Sequence, residues 1–145
     1  MCIKGGYWIT TNFQINQIAD REFGRVNVPL TTYWIGLLTA IPNADGTGAV
    51  EVSSAGTGYA RQALANDKTT LSNAVNGRVY NLNNVTFPSA SAPWGIISAV
   101  GIYNAQNGGN LLYFSPQSTP RPFDEGDIAF FEPGDIEWIV QNILD

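Results

Sequence analysis

From Thr10 to Phe23, apolar residues recur at Ile15, Ile18, Ala19 and Phe23, the three- and four-residue spacing that lines one face of an α-helix. Thr11 or Asn12 stands where an N-cap belongs and Gly24 where a helix ends. One short helix is predicted there, with its stripe closing the core. After Pro29 the helical spacing does not return. Short aromatic and β-branched runs at 32–39, 59–64, 78–81, 84–87, 96–103, 111–115, 128–131 and 136–141 alternate with Gly, Asn, Pro and Ser clusters, a pattern of strands and turns. Eight such strands fit two packed sheets. The expectation is an all-β chain, a two-sheet, jelly-roll-like β-sandwich with one short N-terminal helix. It forms a single domain over 1–145, with 1–28 as a helical N-terminal segment and 29–145 as the β body.

Two runs say more. In 136–141, Ile136, Trp138 and Val140 alternate with Glu137, Ile139 and Gln141, as in a half-buried strand. Tyr33 to Leu38 is apolar at every position except Gly36, which predicts a strand covered on both faces. Asn43 to Gly48, Ala55 to Gly58 and Asn107 to Asn110 read as turns. Pro88, Pro93, Pro116, Pro120, Pro122 and Pro133 read as breaks between runs.

Composition narrows the chemistry. The chain has 145 residues and a net charge of −5, with 13% charged and 44% hydrophobic residues. A chain of that length can bury about two-thirds of its unfolded surface in one core without a disulfide or metal. Low charge leaves a neutral polar surface suited to coverage by neighbours. Histidine is absent, which removes Ser-His-Asp and Cys-His catalysis and His-ligated metals. Cys2, the single cysteine, reads as a solvated or removed residue, with a bridge to another molecule as the alternative. Seven scattered cations form no stripe for nucleic acid. Neither a signal peptide nor a membrane-length apolar run is visible, so a soluble protein made in the cytoplasm is expected, with no membrane partner.

Candidate chemistry is sparse. Asp124, Glu125, Asp127, Glu132, Asp135 and Glu137 are dense enough to raise calcium, but they flank Gly126 and Pro133-Gly134 without EF-hand spacing, as acidic turns do. No motif sets two carboxylates across a cleft for glycoside hydrolysis. The Gly46 and Gly56 loops lack the lysine and helix of a phosphate cradle. No enzyme, no cofactor and no metal site is expected. Four Trp and six Tyr allow sugar stacking or subunit packing. Trp34 and Trp138 sit in strand runs and read as core residues, whereas Trp8 and Trp94 sit in connecting segments. Trp8, Tyr33, Trp94 and Trp138 are the candidate assembly or ligand contacts. Glu51 and Arg61 flank a bend and form a candidate structural pair.

Around this bend the chain resembles a known family. Tyr33-Trp34-Ile35-Gly36-Leu37-Leu38-Thr39, Pro42, Asp45-Gly46-Thr47-Gly48, Glu51-Val52-Ser53 and Gly58-Tyr59-Ala60-Arg61-Gln62 occur in that order. Downstream come Asn84-Val85-Thr86-Phe87-Pro88, Trp94-Gly95, the run from Ala99 to Ala105, Gly108 to Tyr113, and Gly126-Asp127. The ordered set, covering about Tyr33 to Phe131, resembles small structural proteins of tailed bacteriophages, often labelled tail fibre-like proteins. The resemblance implies a non-enzymatic, β-rich virion component, made in the host cytoplasm and assembled in many copies as a homo-oligomer with other virion proteins. The tail fibre or baseplate is the position it favours. A capsid decoration protein and a module that adsorbs to host surface glycan are the alternatives. The N-terminal helix and the acidic tail with Trp138 depart from the family pattern, and attachment specificity is expected at those ends.

Overall fold

The computed structural model describes residues 2–3, 7–25 and 29–139. Strand β1 (Ile9–Thr10) leads into α1 (Asn12–Glu22), and the residue between them decides how the helix sits. Thr11 is the N-cap: its Oγ1 accepts the Gln14 N–H at 3.4 Å while donating to the Leu111 carbonyl at 2.7 Å. Its own N–H donates to Leu112. These bonds fix the helix's rotation, because residues three apart share a face. Gln14, in register with Thr11, is therefore turned inward and is 1% exposed; its Nε2 lies 3.0 Å from the Tyr113 hydroxyl. Ile15, Ile18 and Phe23 are turned outward and are 51%, 45% and 72% exposed. The stripe expected to close the core instead faces away from it. The N-cap is Thr11, and the helix ends at Phe23 and Gly24, where φ is 76°.

The remaining elements are β2 (Thr32–Ala40), β3 (Val50–Glu51), β4 (Gln62–Ala65), β5 (Arg78–Tyr80), β6 (Val85–Thr86), β7 (Gly95–Tyr103), β8 (Leu111–Phe123), β9 (Phe130–Phe131) and β10 (Glu137–Ile139). Six strands form an antiparallel sheet in the order β1-β8-β7-β2-β3, with β4 also paired to β2. In place of a second continuous sheet, the described residues form two short ladders, β5–β10 and β6–β9. The main core lies between these layers. Ile35, Leu37, Val100 and Ile102 come from the large sheet, and Val85, Phe87, Phe131 and Ile136 come from the ladders and their flanks. The architecture is an all-β sandwich with one short helix.

Strand β2 follows its apolar pattern. Ile35 and Leu37 enter the main core, while Leu38 joins Ala99, Tyr103 and Phe114 in a smaller cluster on the opposite face. Gly36 interrupts the run for a steric reason. A Cβ there would lie 2.8 Å from Glu51 Oε1 and 2.9 Å from the Tyr59 hydroxyl.

Strand β8 overturns one expectation, since Pro116, Pro120 and Pro122 fall inside it. Proline is tolerated on a strand whose outer side is unpaired, and β1 pairs only with Tyr113 and Phe114. The ladder with β7 also shifts register. Ile97 faces Arg121 and Ala99 faces Pro116, so one residue of β7 opposes the four residues 117–120. Other strands also differ from the expected runs: β6 and β9 are shorter than 84–87 and 128–131, and β1 and β3 fall outside all eight. Strand β4 starts at Gln62 because Tyr59 leaves the ladder to reach Glu51. The predicted 136–141 strand is seen as β10, with residues 140 and 141 outside the described residues.

Candidate functional site

Glu51 and Arg61 stand on β3 and just before β4. Arg61 Nε donates to Glu51 Oε1 at 2.8 Å and Nη2 to Oε2 at 2.7 Å, a bidentate pair with little freedom. Arg61 Nη1 donates to the carbonyls of Ala105 and Gly108, each at 2.7 Å. The guanidinium also lies 3.5 Å from the centre of the Tyr103 ring. Tyr59 completes the group, donating to Glu51 Oε1 at 2.6 Å and accepting the Leu37 N–H at 2.9 Å. With its donors and acceptors engaged inside the protein, the cluster ties the 104–110 loop to β3 and β4.

The same burial perturbs two phenols. Burial first and the Glu51 carboxylate second push Tyr59 far above the usual phenol range, and the same causes push Tyr103 up to about 12. A raised folded pKa stabilises the protonated native state. The contribution is complete below about pH 10, where the unfolded phenols ionise, and is lost as pH rises through the folded values. Denaturant unfolding is therefore expected to show stability falling above about pH 10, by up to about 1.4 kcal/mol per pH unit from Tyr59. Tyr59→Phe should flatten that fall. A wild-type curve level from pH 8 to about pH 11 would contradict the assignment.

Trp8, Tyr33 and Trp138, far apart in the chain, meet beneath α1. The Trp138 ring centre is 6.3 Å from Trp8 and 5.9 Å from Tyr33, and Tyr113 adds a fourth ring at 6.1 Å. The indole N–H groups of Trp8 and Trp138, Gln14 Oε1 and Arg21 Nε are buried here without hydrogen-bond partners. Gln14, Arg21 and Tyr113 were not among the sequence candidates, although the spacing of Thr11 and Gln14 carries the signal. Trp94 does not join them. It is 4% exposed, stacked on Phe123 at 5.8 Å, and its indole N–H donates to Thr57 at 2.9 Å. From that position it cannot reach a neighbour.

The acidic stretch closes turns. Asp127 Oδ2 accepts the Asp124 N–H at 2.9 Å and Asp135 Oδ2 the Glu132 N–H at 2.8 Å. Cys2 was expected to be solvated or removed; here it is half-buried because residues 2 and 3 lie along β9, with the Ile3 N–H donating to Phe130 at 2.8 Å. Its Sγ is 3.4 Å from Asp135 Oδ2. Burial, then Asp135, raise the thiol pKa, which suppresses its reactivity. Cys2, Glu132 and Asp135 bring one ligand atom each within 4.8 Å of one another, a set with fewer oxygens than calcium takes.

Residues 10–139 match the model of the podophage GP4 fiber I protein gp80 family. The chain belongs to this family. The gp80 match runs from the end of β1 to the end of β10 and takes in the Glu51–Arg61 cluster, all of α1 and Trp138. Trp8 and Cys2 fall outside it. Membership establishes the resemblance to tail fibre-like phage structural proteins. No curated protein matches the chain.

Proposed function

We propose that this gp80-family chain is a non-enzymatic tail fibre or baseplate-type component of the virion that works by assembling with copies of itself and with other virion proteins. The observation that carries the reading is the inverted helix: α1 is held through its polar side, by Thr11 and Gln14, and turns Ile15, Ile18 and Phe23 to solvent. Burying apolar side chains stabilises by about 25 cal/mol per Å² removed from water, and a single copy forgoes this on α1. The surface that meets a second copy is therefore assigned to α1, in place of the connecting-segment tryptophans. The whole chain acts as one domain, with the helix as its attachment end.

Light scattering after size exclusion tests the helix. The wild-type chain should associate as concentration rises, and Ile15→Asp/Ile18→Asp should remain monomeric with an unchanged circular dichroism spectrum. A wild-type chain that stays monomeric at high concentration overturns the assembly reading. Gold-labelled antibody on purified particles tests position: label on the tail supports it, and label over the head replaces it with capsid decoration.

A further inference from the structure

Three turns carry an amide or carboxyl side chain directly before a glycine: Asp45-Gly46, Asn76-Gly77 and Asn107-Gly108. In such a pair the glycine nitrogen can attack the side-chain carbonyl that precedes it, because glycine has no Cβ to block the approach. The local chemistry of the three is nearly the same, and the fold separates them. Ring closure needs a glycine N–H free of other bonds, an exposed side chain, and a backbone that can turn the glycine nitrogen toward the preceding Cβ.

Asp45-Gly46 fails the first condition. The Gly46 N–H donates to the Asn43 carbonyl at 2.8 Å, and Asp45 Oδ1 accepts the Thr47 N–H at 2.9 Å and its hydroxyl at 2.7 Å. Asn76-Gly77 fails the third. Asn76 has a φ of 52° and Gly77 one of 76°, the left-handed pair of a two-residue hairpin, closed by reciprocal bonds between Val75 and Arg78 at 3.1 and 3.0 Å. A left-handed residue turns the next peptide nitrogen away from its own Cβ, so this hairpin must open before Asn76 can react.

Asn107-Gly108 is not restrained in these ways. Asn107 is exposed and lies outside the left-handed region, and among the described residues neither its side chain nor the Gly108 N–H has a hydrogen-bond partner. Arg61 Nη1 grips the carbonyls of Ala105 and Gly108 and leaves Gln106 and Asn107 between them open to solvent.

We propose that Asn107 is a site of spontaneous deamidation, the one of these three pairs that the fold leaves reactive. The Gly108 nitrogen gives up its proton to solvent base and bonds to the Asn107 Cγ, and the Cγ–Nδ2 bond breaks to release ammonia. Water then opens the cyclic imide. Opening at Cγ gives aspartate and opening at the main-chain carbonyl gives isoaspartate, with no oxidant or reductant required. Either product adds one negative charge to the chain's −5. The isoaspartate form also inserts a main-chain methylene between the two carbonyls that Arg61 Nη1 holds, and so loosens the 104–110 loop from the Glu51–Arg61 cluster. The site is independent of the α1 surface.

Peptide mapping by mass spectrometry, with an isoaspartate assay, on the full chain aged for weeks in mildly alkaline buffer tests the site. Asn107 should react first, and Asn76 about tenfold more slowly, since two turn bonds must break there beforehand. In urea strong enough to unfold the chain, the two rates should converge, because local sequence alone then sets them. Asn107→Gln should abolish the early product, as glutamine would have to close a larger ring. Isoaspartate at position 107 should raise hydrogen exchange across 104–110. Earlier reaction at Asn76 or Asp45 overturns the proposal. So does an Asn107 still intact in the folded chain when the unfolded chain has reacted, or a ratio of rates that unfolding leaves unchanged. Exchange that isoaspartate does not alter overturns the link to Arg61. None of these outcomes bears on self-association, which the α1 variants read separately.

Discussion

Replacing Arg61 with alanine is expected to cost about 3–5 kcal/mol, the range for breaking a buried ion pair on one side. The Arg61 side chain is 7% exposed. Its removal strands the Glu51 carboxylate against Tyr59 and frees the Ala105 and Gly108 carbonyls together. Set against a typical total of about 5–15 kcal/mol, the loss should show as a large drop in the denaturant midpoint. Arg61→Lys should recover only part of it, because an ammonium cannot bond two carboxylate oxygens in a fork while reaching two carbonyls. Hydrogen exchange in 104–110 should rise in both variants. A change under about 1 kcal/mol in Arg61→Ala would mean that water replaces the guanidinium at little cost.

Asn81 is the second position where one side chain holds several segments. It is fully buried. Its Nδ2 donates to the carbonyls of Asn83 at 2.8 Å and Glu132 at 2.9 Å, and its Oδ1 accepts the N–H groups of Gly134 at 3.0 Å and Ile136 at 2.9 Å. All its hydrogen-bonding capacity is spent on backbone, so Asn81→Ala removes four hydrogen bonds, takes from the Asn83 carbonyl and the Ile136 N–H the partner described for them, and should cost about 3 kcal/mol. Asn81→Asp is the sharper test. Its size is nearly conserved, yet an acceptor replaces the donor facing two carbonyls, and the loss should match or exceed that of alanine. Urea unfolding of both variants checks this, and an aspartate variant as stable as wild type would refute the donor assignment.

Local signals in the sequence predict local structure well. Thr11, the Ile15-Ile18 spacing and Gly24 mark the helix because capping and periodicity act within a few residues. The all-β class is equally plain from the runs after Pro29. The direction the helix faces is not local. It follows from Thr11 bonding to β8 about a hundred residues later, and nothing near Ile15 records that tether. The prolines of β8 mislead for a related reason: whether proline breaks a strand depends on whether its outer side is paired, which neighbouring residues do not reveal. At the candidate sites, the bend between Glu51 and Arg61 draws attention to both residues, but Tyr103 and the carbonyls at 105 and 108 lie too far along the chain to be associated with them. Asn81 carries no signal at all, since one buried asparagine in a turn-rich sequence looks like any other.

The prolines of β8 bear on how copies of this chain behave beside one another. Proteins with open strands risk joining edge to edge, and the outer side of β8 past Phe114 is such an edge among the described residues. Three of its thirteen residues have no N–H to offer, and the bow at 117–120 bends what remains. A strand interrupted in this way is a poor template for cross-β growth. Concentrated solutions of the chain are therefore expected not to seed fibrils through this edge.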